Sequence, residues 1–329
     1  MKVTVAIPVY NAANYIKATL DSLMKQTMNS REFEVICVND CSTDKSKEVI
    51  ESFKIRMANL VLIERETNSG GPMIPRNDAI QAARGEYLLF LDNDDFLGEE
   101  ALERLYNAAQ ENRSDVVYGK YIGVNGRNVP QSMFKKGNIA NADIIKDNLV
   151  YSLAPHKMFN VSFLHKHQFL FNPQAVVGED QLFVMQCYVE AKVITVLADY
   201  DYYFVVSRGN ENLSLKYFPA KNFFYSFHQL LKYIDESNLN NLYKRDLKIA
   251  YLNRFFHASR LRRQLLSKKR TKEQKRDWLA ETKKFIDSHI SDEIMQGIEP
   301  RFHSIIHIAK KQDLKKLLKL ARSIRGAIL

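Results

Sequence analysis

No stretch of the 329-residue sequence approaches the roughly 20 consecutive apolar residues of a membrane helix, so no spanning segment is expected. Met1-Lys2-Val3-Thr4-Val5 reads as the start of a strand rather than a signal peptide. That points to the cytoplasm and leaves open a contact at the inner face of the membrane. Cysteine is scarce: Cys37, Cys41 and Cys187 form neither a C-x-x-C pair nor a disulfide framework, and reduced structural thiols follow. Internal repeats and low-complexity tracts are absent. Acidic residues run short in one region. Residues 207–329 hold 12 Asp and Glu against 27 Lys and Arg, an excess of 15 positive charges, while residues 1–206 hold 26 against 21; together they give the formal net charge of +10. A basic region on that scale suits a nucleic acid, an anionic membrane face or a phosphate-containing polymer, although solvated helix faces give similar counts. Its segments do not interleave aromatic and basic residues as single-strand binders do, so no nucleic-acid partner is expected.

What is present is ordinary soluble material, 46% hydrophobic with a mean hydropathy of −0.32, long enough for one large domain and a smaller one. Strands and helices alternate over the first third. Strands are expected at 3–8, 33–40, 60–64, 87–91 and 115–118. Helices are expected at 13–25, after an N-cap within Ser42-Thr43-Asp44-Lys45-Ser46, at 74–83 and at 99–111, with a turn at 68–72. This spacing means βαβ units and a parallel sheet. Past residue 119 an irregular α+β extension follows, with a polar loop at 123–127, a helix near 142–147, a helix at 180–191 and a strand at 193–206. From Lys221 the chain is helical, and Phe223, Phe224, Phe227, Leu230, Leu231 and Ile234 recur at core spacing. Three regions result: 1–118, 119–215 and 216–329.

The apolar run Tyr87-Leu88-Leu89-Phe90-Leu91 is too short for a buried helix and ends in Asp92-Asn93-Asp94-Asp95. At the carboxyl end of a parallel strand such a cluster faces a ligand crevice, and a D-x-D there can hold a divalent cation and through it a diphosphate. The same residues could simply precede the helix at 99–111 as an acidic turn.

Context favours the first reading. Ile7-Pro8-Val9-Tyr10-Asn11, Val38-Asn39-Asp40-Cys41-Ser42-Thr43-Asp44, Asn68-Ser69-Gly70-Gly71, Pro75-Arg76-Asn77 and Leu91-Asp92-Asn93-Asp94-Asp95 follow one another in the order found in family-two glycosyltransferases. Together they resemble the GT-A nucleotide-sugar domain of that family. Gly178-Glu179-Asp180-Gln181-Leu182-Phe183 resembles the block that carries its catalytic base. Farther on, Val124-Asn125-Gly126-Arg127, Val129-Pro130-Gln131-Ser132-Met133-Phe134 and the basic tail resemble bacterial enzymes that add N-acetylglucosamine to the poly(ribitol phosphate) of wall teichoic acid.

The resemblance implies an α/β GT-A core with an α+β acceptor extension and a helical C-terminal domain. It implies a UDP-sugar donor, a divalent cation (Mn2+ or Mg2+) at Asp94, and contacts from Asp92 and Asn93 to ribose and sugar. Asp40 would accept the uracil N–H, Pro8, Val9 and Tyr10 would wall the base, and Asn68 and Arg76 would lie near base and donor sugar. Arg208 would cover the diphosphate, with Asn212 standing where relatives often have His; position 39 is Asn where Asp is commoner. Asp180 would be the base for a single inverting displacement, which needs one carboxylate on the acceptor side. Arg254, His257 and Arg260, at three-residue steps, would meet the anionic polymer. The final helix at 314–328, apolar along Leu317, Leu318, Ala321, Ile324 and Ile328, would either dock on its own subunit or build the homotrimer that the resemblance suggests. Plainer readings compete: a surface helix arginine for Arg76, an N-cap for Asp180 and a structural imidazole for His257. Two rival functions remain, a capsule or lipid-linked oligosaccharide transferase using UDP-glucose or UDP-galactose, and a non-catalytic polyanion binder on the same scaffold.

Overall fold

The computed structural model describes residues 1–208, 218–257, 265–267 and 270–323, with side chains as far as residue 320. The chain forms two compact units. One joins Met1–Pro173 to Glu179–Leu215, and the other joins Gln174–Gly178 to Lys216–Leu329.

The first unit is built on a seven-stranded sheet. Strands β1 (Val3–Val9) and β2 (Phe33–Asn39) are buried at every position, as befits strands covered on both faces. They run parallel from Val3 opposite Phe33, and β1 also runs parallel to β4 (Tyr87–Phe90) from Val3 opposite Tyr87. Gly85 lets the chain enter β4, since a Cβ there would lie 2.5 Å from the Thr4 backbone nitrogen. With β3 (Leu60–Glu64), β6 (Val116–Gly119), β8 (Met158–Asn160) and β9 (Ile194–Leu197), the order is β3-β2-β1-β4-β8-β6-β9. Helices α1 (Ile16–Met24), α2 (Ser46–Lys54), α3 (Met73–Ala82) and α4 (Ala101–Asn112) connect the parallel strands. The order turns at β1, which has β2 on one side and β4 on the other, so the carboxyl ends of these strands open the ligand crevice of a doubly wound sheet.

Three details depart from the sequence-based expectation. The strand expected at 193–206 is two strands in two sheets. After β9 the polar residues Asp199 and Asp201 leave the sheet, and β10 (Tyr203–Val206) joins β5 (Phe96–Leu97) and β7 (Tyr121–Val124) in a small second sheet. No helix forms near 142–147. There the Asp143 carboxylate accepts from the amides of Ile145 and Lys146, Asp147 accepts from Asp143 N, and Asn148 is left-handed at φ 61°, which closes a turn. Helix α2 draws no side-chain cap from Lys45; the Asp44 carboxylate accepts from Ser46 N instead, at 2.9 Å.

The second unit is helical. Phe223, Phe224, Phe227, Leu230, Leu231 and Ile234 of Ala220–Glu236 are all buried, with Trp278 and Phe285 of Lys272–His289 among the rings packed on them. Leu317 is fully buried within this unit, where Leu314–Ser323 packs beside Pro300–Lys310. The side chain of Ala321 and residues Ile324 and Ile328, placed on the same face by the sequence, lie outside the described residues. No described helix is long and apolar enough to cross a membrane.

Candidate active site

Strand β4 delivers Asp92 to the crevice in a turn closed by Asp95 N donating to Asp92 O at 3.1 Å. Arg76, on α3 and only 4% exposed, donates from Nη2 to Asp92 Oδ1 at 2.9 Å and lies 3.7 Å through Nη1 from Glu179 Oε1. Its Nε and Nη1 have no hydrogen-bond partner, so two buried donors remain for a ligand oxygen. Burial works to raise the Asp92 pKa, but the charges and hydrogen bonds of Arg76 and His156 overcome it and hold the carboxyl well below the usual range. His156 Nε2 lies 3.2 Å from Asp92 Oδ2, and its ring stacks on Tyr203 at 4.3 Å. The Tyr203 hydroxyl accepts from Asp92 N at 3.0 Å and donates to Asp95 Oδ2 at 2.9 Å, while Val206 N donates to Asp95 Oδ1 at 2.8 Å. Burial, helped by the charges of Asp92 and Asp94, pushes the Asp95 carboxyl well above its ordinary value.

Asp94 takes no part in these contacts. Arg208, two residues past β10, forms an ion pair with it through Nε, donates to Asn93 Oδ1 at 2.5 Å and lies over the Tyr15 ring at 4.4 Å. Burial and the Asp92 charge raise the Asp94 pKa despite Arg208. A carboxylate in that state gains from further positive charge, and an all-oxygen donor such as Asp94 suits a hard divalent cation. Asp92, Asp95 and His156 also offer ligand atoms within 4.8 Å of one another, but Arg76, Tyr203 and Val206 N already engage the two carboxylates.

The other side of the crevice is built around Asp40, which is 2% exposed. Its carboxylate accepts from Ser69 N at 3.0 Å, Ser69 Oγ at 2.8 Å and Asn68 Nδ2 at 3.1 Å, with Arg65 Nε at 3.2 Å. Arg65 is itself paired with Asp78. The carbonyls of Pro8 and Val9 accept from Asn93 Nδ2 and Asp40 N, at 2.7 and 2.8 Å. Tyr10 stands 48% exposed beyond them. Asp180, in the first turn of the helix Glu179–Glu190, is half-buried and accepts from Gln181 N at 2.8 Å; its charge reaches Arg76 as that of Asp92 and Glu179 does.

The structure therefore brings Pro8, Val9, Tyr10, Asp40, Asn68, Arg76, Asp92, Asn93, Asp94, Asp180 and Arg208 into one unit. Arg254 and His257 are half-buried in the last turn of Asn241–His257 in the helical unit. Asn212 and Arg260 lie outside the described residues. Sequence reasoning missed His156, Tyr203, Arg65 and the engagement of Glu179. Only Glu179 had a signal, as the neighbour of Asp180.

Residues 4–171 match the profile of Glycosyl transferase family 2. The chain belongs to glycosyltransferase family 2. Residues 220–321 match the Glycosyl transferase TarS linker domain. Among curated relatives, a poly(ribitol-phosphate) beta-glucosyltransferase of Bacillus spizizenii is 41% identical over 98% of this chain and 50% of its own length. The poly(ribitol-phosphate) beta-N-acetylglucosaminyltransferase TarS of Staphylococcus aureus is 34% identical over 99% of this chain and 56% of its own. The chain thus spans about half the length of these relatives. A crystal structure of S. aureus TarS 1–349 with UDP-GlcNAc superposes with a TM-score of 0.91 at 33% identity, covering 99% of this chain and 92% of that one. The GT-A architecture implied by the motifs, with a helical region after it, is the fold of this family member.

Proposed function

We propose that the chain is an inverting transferase that moves N-acetylglucosamine from UDP-N-acetylglucosamine to hydroxyls of poly(ribitol phosphate), forming a β linkage. The observation that carries this reading is the buried Arg76 guanidinium, which gathers Asp92 from the end of β4 and Glu179, beside Asp180, from the start of the helix Glu179–Glu190. Asp180 takes the proton of a ribitol hydroxyl as its oxygen attacks the anomeric carbon, the bond from that carbon to the diphosphate breaks, and the electron pair leaves with UDP. Approach opposite the leaving group inverts the anomeric centre. A divalent cation at Asp94, manganese or magnesium, would supply neutralisation of the leaving diphosphate. Arg208 assists from the same side, Asp92 and Asn93 hold ribose and sugar, and Arg76 turns its two unpartnered donors to the donor sugar. Asp40 and Asn68 read the uracil, with Tyr10 against its face. Arg254, His257 and Arg260 meet the polymer in the cytoplasm, at the inner face of the membrane, and the terminal helix assembles a homotrimer.

A second donor reading, UDP-glucose, is favoured by the higher identity to the glucosyltransferase, 41% against 34%. The two sugars differ only at C2. The test offers UDP-GlcNAc, UDP-glucose and UDP-galactose with poly(ribitol phosphate) or a neutral glycan, with Mn2+ or a chelator, and assigns the linkage by NMR. Expected are β-GlcNAc on the polymer alone, loss of activity on chelation, and a steep fall of polymer transfer with salt. Equal transfer to the neutral glycan overturns the acceptor, and preferred use of UDP-glucose overturns the donor.

A further inference from the structure

We propose that His156 is a positioning residue for the Asp92–Asp95 turn, holding Asp92 so that the turn receives a divalent cation and diphosphate; this rests on the cation reading above. Strand β8 pairs antiparallel with β4, with Leu89 opposite Met158 and Tyr87 opposite Asn160. Continued by two residues along each strand, this register puts His156 opposite Leu91, beside the first residue of the turn. The segment before β8 is firmly held. The Ser152 hydroxyl receives hydrogen bonds from Tyr118 and Tyr121, and its carbonyl accepts from Tyr188. The fully buried Lys157 donates to Ala154 O at 2.5 Å and lies 4.2 Å over the Tyr118 ring.

From this mount the imidazole does two things. Its face lies 14° from parallel on Tyr203, whose hydroxyl bridges Asp92 N and Asp95, and its edge holds Asp92 Oδ2. Arg76 holds the other oxygen of Asp92. With both oxygens fixed, the carboxylate cannot swing toward Asp94, and the turn keeps one geometry before a ligand arrives. His156 needs neither the sugar nor the acceptor for this role, and it is remote in chain from the Asp40 group that reads the base.

His156→Phe keeps the stack on Tyr203 and loses the donor; His156→Gln keeps a donor and loses the stack. UDP binding to the full chain is measured by calorimetry with Mn2+ and with chelator, beside thermal unfolding and the KM and kcat for UDP-sugar. For wild type, Mn2+ should tighten UDP binding. His156→Phe should lose about 10-fold or more of that gain, the usual cost of removing a partner behind a metal site. Its affinity in chelator should fall by less, through the ribose contact of Asp92, its melting temperature should stay near wild type, and His156→Gln should recover part of the gain. Full retention of the Mn2+ gain by His156→Phe overturns the inference, as does an equal loss of affinity in chelator. A wild-type chain with no Mn2+ gain overturns the cation reading and the inference together.

Discussion

Removing the Arg76 guanidinium tests whether the crevice is organised around this buried cation. Arg76→Met keeps most of the stem that packs near Phe171, 5.2 Å from the guanidinium carbon, and leaves Asp92 and Glu179 without their counter-charge. Stripping one partner from a buried ion pair costs about 3–5 kcal/mol. The Asp92 side chain is 31% exposed, against 5% for Arg76, and solvent relieves part of the cost, so the lower end, about 3 kcal/mol, applies. For a unit of this size each kcal/mol moves the melting temperature by about 2–4 °C, so the variant should melt about 6–12 °C lower at pH 7. The pH dependence is fixed by Asp92, whose folded pKa is depressed. Such a group contributes stability in full above its unfolded pKa of about 3.9, and that contribution is lost as pH falls through the folded value. The gap between wild type and variant should therefore stay constant from about pH 7 to 5 and narrow below about 4. Thermal unfolding followed by circular dichroism from pH 7 to 3.5 measures it. A variant melting within about 1 °C of wild type at pH 7, or a gap that widens in acid, would refute the reasoning.

Asp180→Asn should abolish transfer while UDP-sugar affinity, read by calorimetry, stays within several-fold; a parallel loss of donor binding would remove Asp180 from the acceptor side. Glu34 is 1% exposed, and although burial raises its pKa, hydrogen bonds from Thr4 and from the Arg84 amide and guanidinium bring it below the ordinary value. Glu34→Gln should cost about 1.5–3 kcal/mol at pH 7 in urea unfolding, with the deficit shrinking as pH falls below the unfolded value, since a depressed carboxylate stabilises only above it. In the helical unit His228 Nδ1 lies 2.8 Å from His289 Nε2, and burial, then His228 and Lys248, lower the His289 pKa to about 4 against the pull of Asp235; Glu281 opposes the smaller lowering at His228. The unfolded chain takes up the proton first, so this unit should lose about 1–2 kcal/mol between pH 7 and 5, and His289→Phe should flatten that slope in melts of the full chain.

The parallel half of the sheet was legible because β1, β2 and β4 are apolar runs bounded by turn residues, a pattern that burial on both faces imposes. The D-x-D turn was legible for a related reason, since an acidic string at the end of such a run has no place in the core. Strand β8 left no such mark: Met158–Asn160 is three residues long, too short to carry a period, and its antiparallel insertion depends on partners distant in the chain. The same distance hid His156 and Tyr203, which meet the turn from 64 and 108 residues away. The strand at 193–206 reads as continuous because both halves are β-branched or aromatic, whereas the chain leaves one sheet for the other between them, where Tyr200 and Asp201 lie close against Gly98.

The crevice divides into two physically different halves. Around Asp40 the carboxylate is met by Arg65, an amide, a hydroxyl and a carboxamide, so its charge is compensated within the protein, and what remains is shape and hydrogen bonding suited to a neutral base. Around the turn, Asp92, Asp94 and Glu179 meet the guanidinium groups of Arg76 and Arg208, and burial, with the charges of neighbouring carboxylates, raises the pKa values of Asp94 and Asp95. The proposed cation would offset the charge of these carboxylates as an anionic diphosphate arrives. In the proposed reading, recognition of the base can be complete before the diphosphate is held, so that Arg208, already engaged with Asp94, changes partners only when the whole donor is present.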